Sequence, residues 1–223
     1  MSEDGTLEFD AELVHAAREL VAVDPRFTEL LEKFGVPQLN RRATRMATDD
    51  GSVDPESYAF VSLVQTVVSQ QLSGTIADKI FARLSTLLDG KVTPQSVAGI
   101  GFDALRGCGL SRAKALAIEN LAMQLQTGVV SFDDLTTASD EEVHERITSL
   151  KGFGPWSAHM FLIFHLGRLD IWPVGDLGVR KGYAKLARVS DVPSPDDLRA
   201  IGEAWRPYRT VAAWYLWRVL ELP

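Results

Sequence analysis

The chain has 223 residues, 46% of them hydrophobic and 24% charged, with a formal net charge of −7 and one cysteine. That is enough apolar chain to bury a core, as one domain or as two small lobes. Cys108 alone excludes an internal disulfide and a four-cysteine iron–sulfur cluster, and the longest apolar run, near Met160 to Leu166, carries His165 and is too short to cross a bilayer.

The acidic start, MSEDGTLEFD, has neither a basic nor an apolar segment, so no signal peptide and a reducing cytoplasm are expected. Residues 10–34 read as two helices parted at Asp24-Pro25, with Leu13, Ala17, Leu20 and then Phe27, Leu30, Leu31, Phe34 as their apolar faces. Gly35-Val36-Pro37 closes the second, and the polar residues 38–56, with a turn at Asp49-Asp50-Gly51, form a connection. A helix from Asp54-Pro55-Glu56 to about Gln71 gives way, after a break near Leu72 to Gly74, to another from about Thr75. A short helix from Pro94 leads to Leu105-Arg106-Gly107-Cys108-Gly109-Leu110, and Ser111 caps a helix reaching Gln124. Residues 131–139 connect to a helix opened by Asp140-Glu141-Glu142, with Val143, Ile147 and Leu150 on one face. Trp156 to Leu166, Leu177 to Leu186, a helix begun at Asp196 or Asp197, and Thr210 to Leu220 complete the set. No segment alternates as a strand would, so the fold class is all-α.

The stretch Leu150-Lys151-Gly152-Phe153-Gly154 is a tight turn between two helices, and Pro155 suits a first helical position because its missing N–H costs nothing there. Glycines two apart permit left-handed dihedrals, so backbone amides can converge at a helix N-terminus, where an anion such as phosphate is favoured. An ordinary helix–helix turn would use the same glycines. The negative charge bears on such a partner unevenly: residues 1–60 hold 13 acidic and 6 basic side chains, leaving 17 of each in the rest.

LKGFGPWSA resembles the helix–hairpin–helix of DNA-repair proteins, and Trp172-Pro173-Val174-Gly175-Asp176 puts an Asp 22 positions after Gly154, as in the DNA glycosylases of that superfamily. Together they resemble the alkylbase DNA glycosylases of the 3-methyladenine DNA glycosylase II type, over about residues 58–220. The resemblance implies two helical lobes with an active cleft between them: residues 1–57 with 169–223, and residues 58–168, ending in the helix–hairpin–helix at about 141–167. The N-terminal β-domain of larger relatives is not expected. It further implies a monofunctional enzyme that flips an alkylated base, such as a cationic N-alkylpurine, out of double-stranded DNA and hydrolyses its N-glycosidic bond in base excision repair.

The same resemblance distributes roles over this sequence. Asp176 is the catalytic carboxylate, and Gly175 leaves room for DNA. Trp156 and Trp217 match pocket tryptophans suited to a cationic base, Trp214 lies three before Trp217, and Met160 stands where relatives often have tyrosine. In Ser69-Gln70-Gln71-Leu72-Ser73, Gln71 would fill the gap left by the flipped nucleotide, with Leu72 as a wedge and Ser73 facing the minor groove. Phosphate contacts would come from the amides of Gly152, Gly154, Trp156 and Ser157, with Lys151 nearby. Trp156 occupies the position of the catalytic lysine of bifunctional relatives, so Schiff-base chemistry is not expected. No cofactor and no iron–sulfur cluster are expected, and a structural Na+ or K+ would rest on main-chain carbonyls around Leu150. Gly107-x-Gly109, with Arg112 and Lys114, offers a weaker second phosphate site. Cys108 reads as a packed residue, and His15, His144, His159 and His165 form no ligand cluster; His144 is expected to be exposed. A monomer is expected. The rival readings are a superfamily glycosylase for oxidised or mismatched bases, a non-catalytic DNA-binding module and, least favoured, a protein-interaction domain.

Overall fold

The computed structural model describes residues 3–39, 55–132 and 134–223, and among them every regular element is a helix. In chain order these are α1 (Glu3–Val23), a 3-10 turn (Pro25–Phe27), α2 (Thr28–Phe34), α3 (Pro55–Ser69), α4 (Gly74–Leu87), α5 (Pro94–Gly107) and α6 (Arg112–Gln126). There follow α7 (Asp140–Ser149), α8 (Pro155–Phe164), α9 (Leu177–Ala187), α10 (Pro195–Gly202), a second 3-10 turn (Glu203–Trp205) and α11 (Arg209–Val219). The all-α expectation holds for these residues. The turn expected at Asp49-Asp50-Gly51 lies outside them.

Helix starts follow the local chemistry of the sequence. Thr93, Ser111, Ser139, Asp176 and Ser194 each accept an N–H of the first turn, and Pro94, Pro155 and Pro195 each stand at the first helical position. Two boundaries differ from the expectations. The helix from Pro94 is not short: it continues for 14 residues, through a kink at Gly101, whose φ of +74° only glycine adopts cheaply. The helix expected to reach Gln71 ends at Ser69, because Gln71 itself has φ +57° and cannot continue a right-handed helix.

The chain divides into two compact units, Met1–Arg41 with Gly167–Pro223, and Arg42–Leu166. In the first, α1 and α2 lay Leu13, Leu20 and Phe27 against α11, where Tyr215 is wholly buried and donates its hydroxyl to the Gly35 carbonyl at 3.0 Å. The buried Asp24 carboxylate accepts from Arg26 at 2.6 and 2.8 Å and from the Trp205 indole at 3.1 Å, and these partners hold it below the usual carboxylate range. Helices α9 and α11 approach more closely than any side chain at Gly182 would allow. A Cβ there would stand 1.9 Å from the Leu216 carbonyl oxygen.

In the second unit α3 supplies Ala59, Phe60, Leu63, Val64, Val67 and Val68 to the core and packs on α4, α6 and α8. A helix apolar around most of its circumference belongs at the centre of such a bundle. Helices α5 and α6 form one antiparallel pair and α7 and α8 another. Buried Ser157, Ala158 and Met160 to Ile163 seat α8, and the burial of Leu150 and Phe153 draws the turn before it onto the same core.

Candidate DNA interface and active site

The α7–α8 turn is built from its ends inward. Ser139 and Glu142 close a reciprocal cap at the start of α7, at 3.2 and 2.8 Å, and the helix ends where Leu150 turns extended. The N–H of Phe153 returns to the Leu150 carbonyl at 3.1 Å, across Gly152 with φ +95°. A Cβ at Gly152 would lie 2.5 Å from that of Ala117 on α6, so this glycine answers both a dihedral and a close approach. Gly154 does not take the left-handed conformation expected of it. It is the extended N-cap of α8, at φ −117° and ψ −174°, and brings no side-chain acceptor to the first turn. Five other helices of the molecule close that position with a Ser, Thr or Asp oxygen. An external acceptor is therefore suited to the N-terminus of α8, with the helix dipole behind it. The Ser157 hydroxyl is buried inside the unit, and Lys151 is exposed beside the turn.

The loop between α3 and α4 lies in the same unit. Gln71, Leu72 and Ser73 are all exposed, Leu72 to 38%, while Gln70 is half-buried. Lys114 corrects an expectation here. It was counted with Arg112 as positive charge for phosphate, yet its ammonium donates to the carbonyls of Val68 and Gln70 at 2.9 and 2.6 Å. Two carbonyl acceptors at the end of α3 draw it inward, and burial lowers its pKa. The second glycine turn is likewise occupied internally. Arg83 donates to the Cys108 carbonyl at 3.2 Å, Arg106 donates to that of Leu110, and Arg112 lies over the Phe102 ring. Cys108 is buried, and burial pushes its thiol up, away from nucleophilic use.

In the other unit Asp176 is held on a short, anchored turn. The buried Trp172 donates its indole N–H to the Leu198 carbonyl at 2.8 Å, and the Asp176 N–H returns to the Pro173 carbonyl at 2.8 Å. Upstream, Thr210 and Arg209 bind residues 168–171, Arg209 through the Asp170 carboxylate at 2.6 Å. Asp176 is the N-cap of α9: its Oδ1 accepts from the Val179 N–H at 2.8 Å and from the Trp217 indole at 3.0 Å. Both bonds fall on one oxygen, which fixes the rotation of the carboxylate. Gly178 makes the arrangement possible, since a Cβ there would stand 2.9 Å from Oδ1 and 3.0 Å from the Trp217 ring. Gly175 is exposed, with nothing within 4 Å of a Cβ, and Leu177 is 52% exposed on the other side.

A model of the "HhH-GPD superfamily base excision DNA repair protein" family matches residues 64–207, which takes in the α3–α4 loop, the α7–α8 turn and Asp176. The chain belongs to this superfamily. DNA-3-methyladenine glycosylase 1 of Schizosaccharomyces pombe is 34% identical to this HhH-GPD protein over 166 residues, 73% of each chain. The alkylbase DNA glycosidase-like protein mag2 of the same yeast is 27% identical over 96% of each. A solved structure of the first, in complex with abasic DNA, has a TM-score of 0.81 and 31% identity, covering 93% of this chain and 97% of that one.

The tryptophans of this HhH-GPD protein separate on inspection. Trp217 reaches Asp176, whereas Trp214 packs against the Arg218 guanidinium, which also lies over Phe34, and against the Tyr215 ring. Trp156 is half-buried in the first turn of α8, and Met160, one turn on, is 7% exposed. His144 is not exposed: it lies half-buried with its ring 5.7 Å from that of His159, and burial together with His144 brings His159 down to about 4. His165 stacks on Phe161 at 4.4 Å, and burial takes it to about 4 as well. Among the described residues no three His, Cys, Asp or Glu side chains are grouped to hold a metal ion, and no helix is long and apolar enough to cross a membrane. Gln70, Gly178 and Gly182 were not singled out by the sequence reading. Glycines four apart on one helix, as in Gly178-x-x-x-Gly182, were the available signal for a close helix contact.

Proposed function

We propose that this chain is a monofunctional DNA glycosylase that removes alkylated bases, cationic N-alkylpurines of the 3-methyladenine kind, from double-stranded DNA. The observation that carries the reading is the pinned carboxylate of Asp176, at its spacing from the α7–α8 turn, in a chain whose HhH-GPD relatives are named for 3-methyladenine excision. A base alkylated at a ring nitrogen is a cationic leaving group. As the C1′–N bond breaks, its electron pair goes to the base, which departs neutral, and positive charge grows on the sugar. Asp176 stabilises that charge through space and takes a proton from the water that adds to C1′. The products are the free base and an abasic site. With Trp156 at the position of the bifunctional relatives' lysine, no Schiff base forms and the strand stays intact.

In this reading the first-turn amides of α8 hold the DNA phosphate with Lys151 beside them, Gln71 fills the vacated stack, and Leu72 and Ser73 meet the minor groove. Trp156, Met160, Trp214 and Trp217 are the apolar and aromatic groups for a flat cation. A monovalent cation belongs on carbonyls of the α7–α8 turn. The Leu150 carbonyl accepts the Phe153 N–H and keeps a second lone pair, so it can be one ligand. The protein acts as a monomer in the compartment that holds the DNA.

The test is base release from methylated duplex DNA by the native protein and by Asp176→Asn, with affinity for an abasic duplex measured in parallel. An Asn oxygen can still accept from Val179 and Trp217, so the fold is kept. Release by the native protein, a loss of about a thousandfold or more in the variant, and unchanged binding are expected. Equal release by both would remove Asp176 from the chemistry, and binding without release by either would make the chain a DNA-binding module.

A further inference from the structure

The Gln70 side chain joins the α3–α4 loop to the α7–α8 turn. Its Nε2 donates to the Gly152 carbonyl at 3.1 Å and to the Ser157 hydroxyl at 3.2 Å, across 82 and 87 residues of sequence. A backbone carbonyl only accepts, so the amide nitrogen must face it, which settles the orientation of the side chain. Helix α6 braces both segments from one face. Lys114 holds the carbonyls of Val68 and Gln70, and Ala117, three residues on, receives the close approach of Gly152. The next residue along, Gln71, sits at φ +57°, a conformation a non-glycine residue keeps only where its surroundings impose it. Four hydrogen bonds converge on its amino-terminal neighbours, and its own side chain is exposed.

We propose that Gln70 and Lys114 are positioning residues for base flipping. They fix the spacing between the loop that fills the duplex and the turn that holds the phosphate, so that Gln71 is presented at a set height above the captured backbone. The inference rests on the reading of the protein as a glycosylase. In it, Gln70 touches neither DNA nor the reacting atoms and acts through Gln71 and the first turn of α8.

The experiment compares Gln70→Ala and Gln70→Glu with the native protein. The glutamate keeps the size of the side chain and reverses the pairing, since a carboxylate cannot donate to the Gly152 carbonyl. Single-turnover base release is measured on an alkylated base that is paired, and on the same base mispaired, where extrusion is already easier. Amide hydrogen exchange at residues 71–73 is followed without DNA, and thermal melting reports folding. The expected result is about tenfold slower release from the paired lesion in both variants, less than about threefold slower from the mispaired one, and faster exchange at residues 71–73 with melting little changed. Equal losses on both substrates would mean a general structural role and would overturn the proposal. So would native rates on the paired lesion. If the native protein releases no base, the glycosylase reading falls, and exchange decides the brace separately: unchanged protection at residues 71–73 in Gln70→Ala would refute it.

Discussion

Gly178→Ala separates the geometry of the carboxylate from the stability of the fold. The added methyl would stand 2.9 Å from Asp176 Oδ1, 3.0 Å from Trp217 Cδ1 and 3.2 Å from Trp217 Nε1. No backbone atom is among these three, and Gly178 has an ordinary helical conformation, so the helix itself tolerates alanine. What must move is the carboxylate, the indole or both, by a few tenths of an ångström, which lengthens the bond that Trp217 donates to Asp176 at 3.0 Å. A hydrogen bond to a charged group contributes about 1.5–3 kcal/mol, and weakening one such bond costs part of that, offset by up to about 1 kcal/mol from replacing a helical glycine with alanine. Stability should therefore change by no more than about 1 kcal/mol. Catalysis is more exposed, because misplacing a reacting group by about 1 Å can cost a hundredfold, and a shift of roughly half that should cost about tenfold. The assay is single-turnover base release from an alkylated duplex, with urea unfolding alongside. Native rates in Gly178→Ala would refute the claim that the Trp217–Asp176 contact sets the reactive geometry. A stability loss of several kcal/mol would refute the packing estimate.

Gly182→Ala is the counterpart. Its methyl would meet the Leu216 carbonyl oxygen at 1.9 Å and carbon at 2.6 Å, backbone atoms that yield only if α9 and α11 part, so a loss of about 3 kcal/mol or more is expected in urea unfolding. Trp217→Phe keeps the ring and removes the donor to Asp176; base release should fall about tenfold with affinity for an abasic duplex retained, whereas a loss of binding would assign Trp217 to contact alone. Gly152→Ala, strained at φ +95° and pressed on Ala117, should weaken duplex binding and reduce its salt dependence, read from affinity between 50 and 200 mM salt. His159 and His165 titrate near 4 in the fold and near 6.5 unfolded, so the unfolded chain binds more protons between these values. Their contribution is complete above pH 6.5 and is lost as the pH falls towards 4, by up to about 3 kcal/mol each, which urea unfolding at pH 7 and pH 5 should register.

Helix identity was legible because the sequence punctuates itself: Ser139, Ser111, Asp176 and the prolines at 94, 155 and 195 start helices where cap chemistry requires. The α7–α8 turn and Asp176 were legible for a different reason, their resemblance to a known pattern. What periodicity could not give was the direction of long side chains. Lys114 read as surface charge, yet its stem reaches the carbonyls at the end of α3, and only the fold brings those within range. Trp214 and Trp217, three apart on one helix, seemed equivalent; the first meets Arg218 and the second Asp176. Gly154 read as a left-handed position because glycine permits it, but the turn needs only one such residue, and Gly152 supplies it.

The acidic balance of the chain, which tells against a polyanionic partner, looks different once the carboxylates are followed to their partners. Asp140, Glu141 and Glu142 open α7, and Asp196 and Asp197 open α10, where acidic side chains offset helix dipoles. Asp24 is taken by Arg26, Asp134 by Arg146, and Asp170 by Arg206 and Arg209. Glu221 pairs with Arg218 and Glu203 with Arg206. Many of the acids thus have local duties, and so do many arginines, so the net charge measures neither face that would meet DNA. The groups proposed to hold phosphate are amides at the start of α8, which add nothing to a charge count and need little positive field around them. Binding through amides carries a consequence for salt. Fewer counterions are displaced than by a binder of the same area built on lysine and arginine, so affinity should fall less steeply with ionic strength, and a steep loss would place the contacts on side chains such as Lys151 instead.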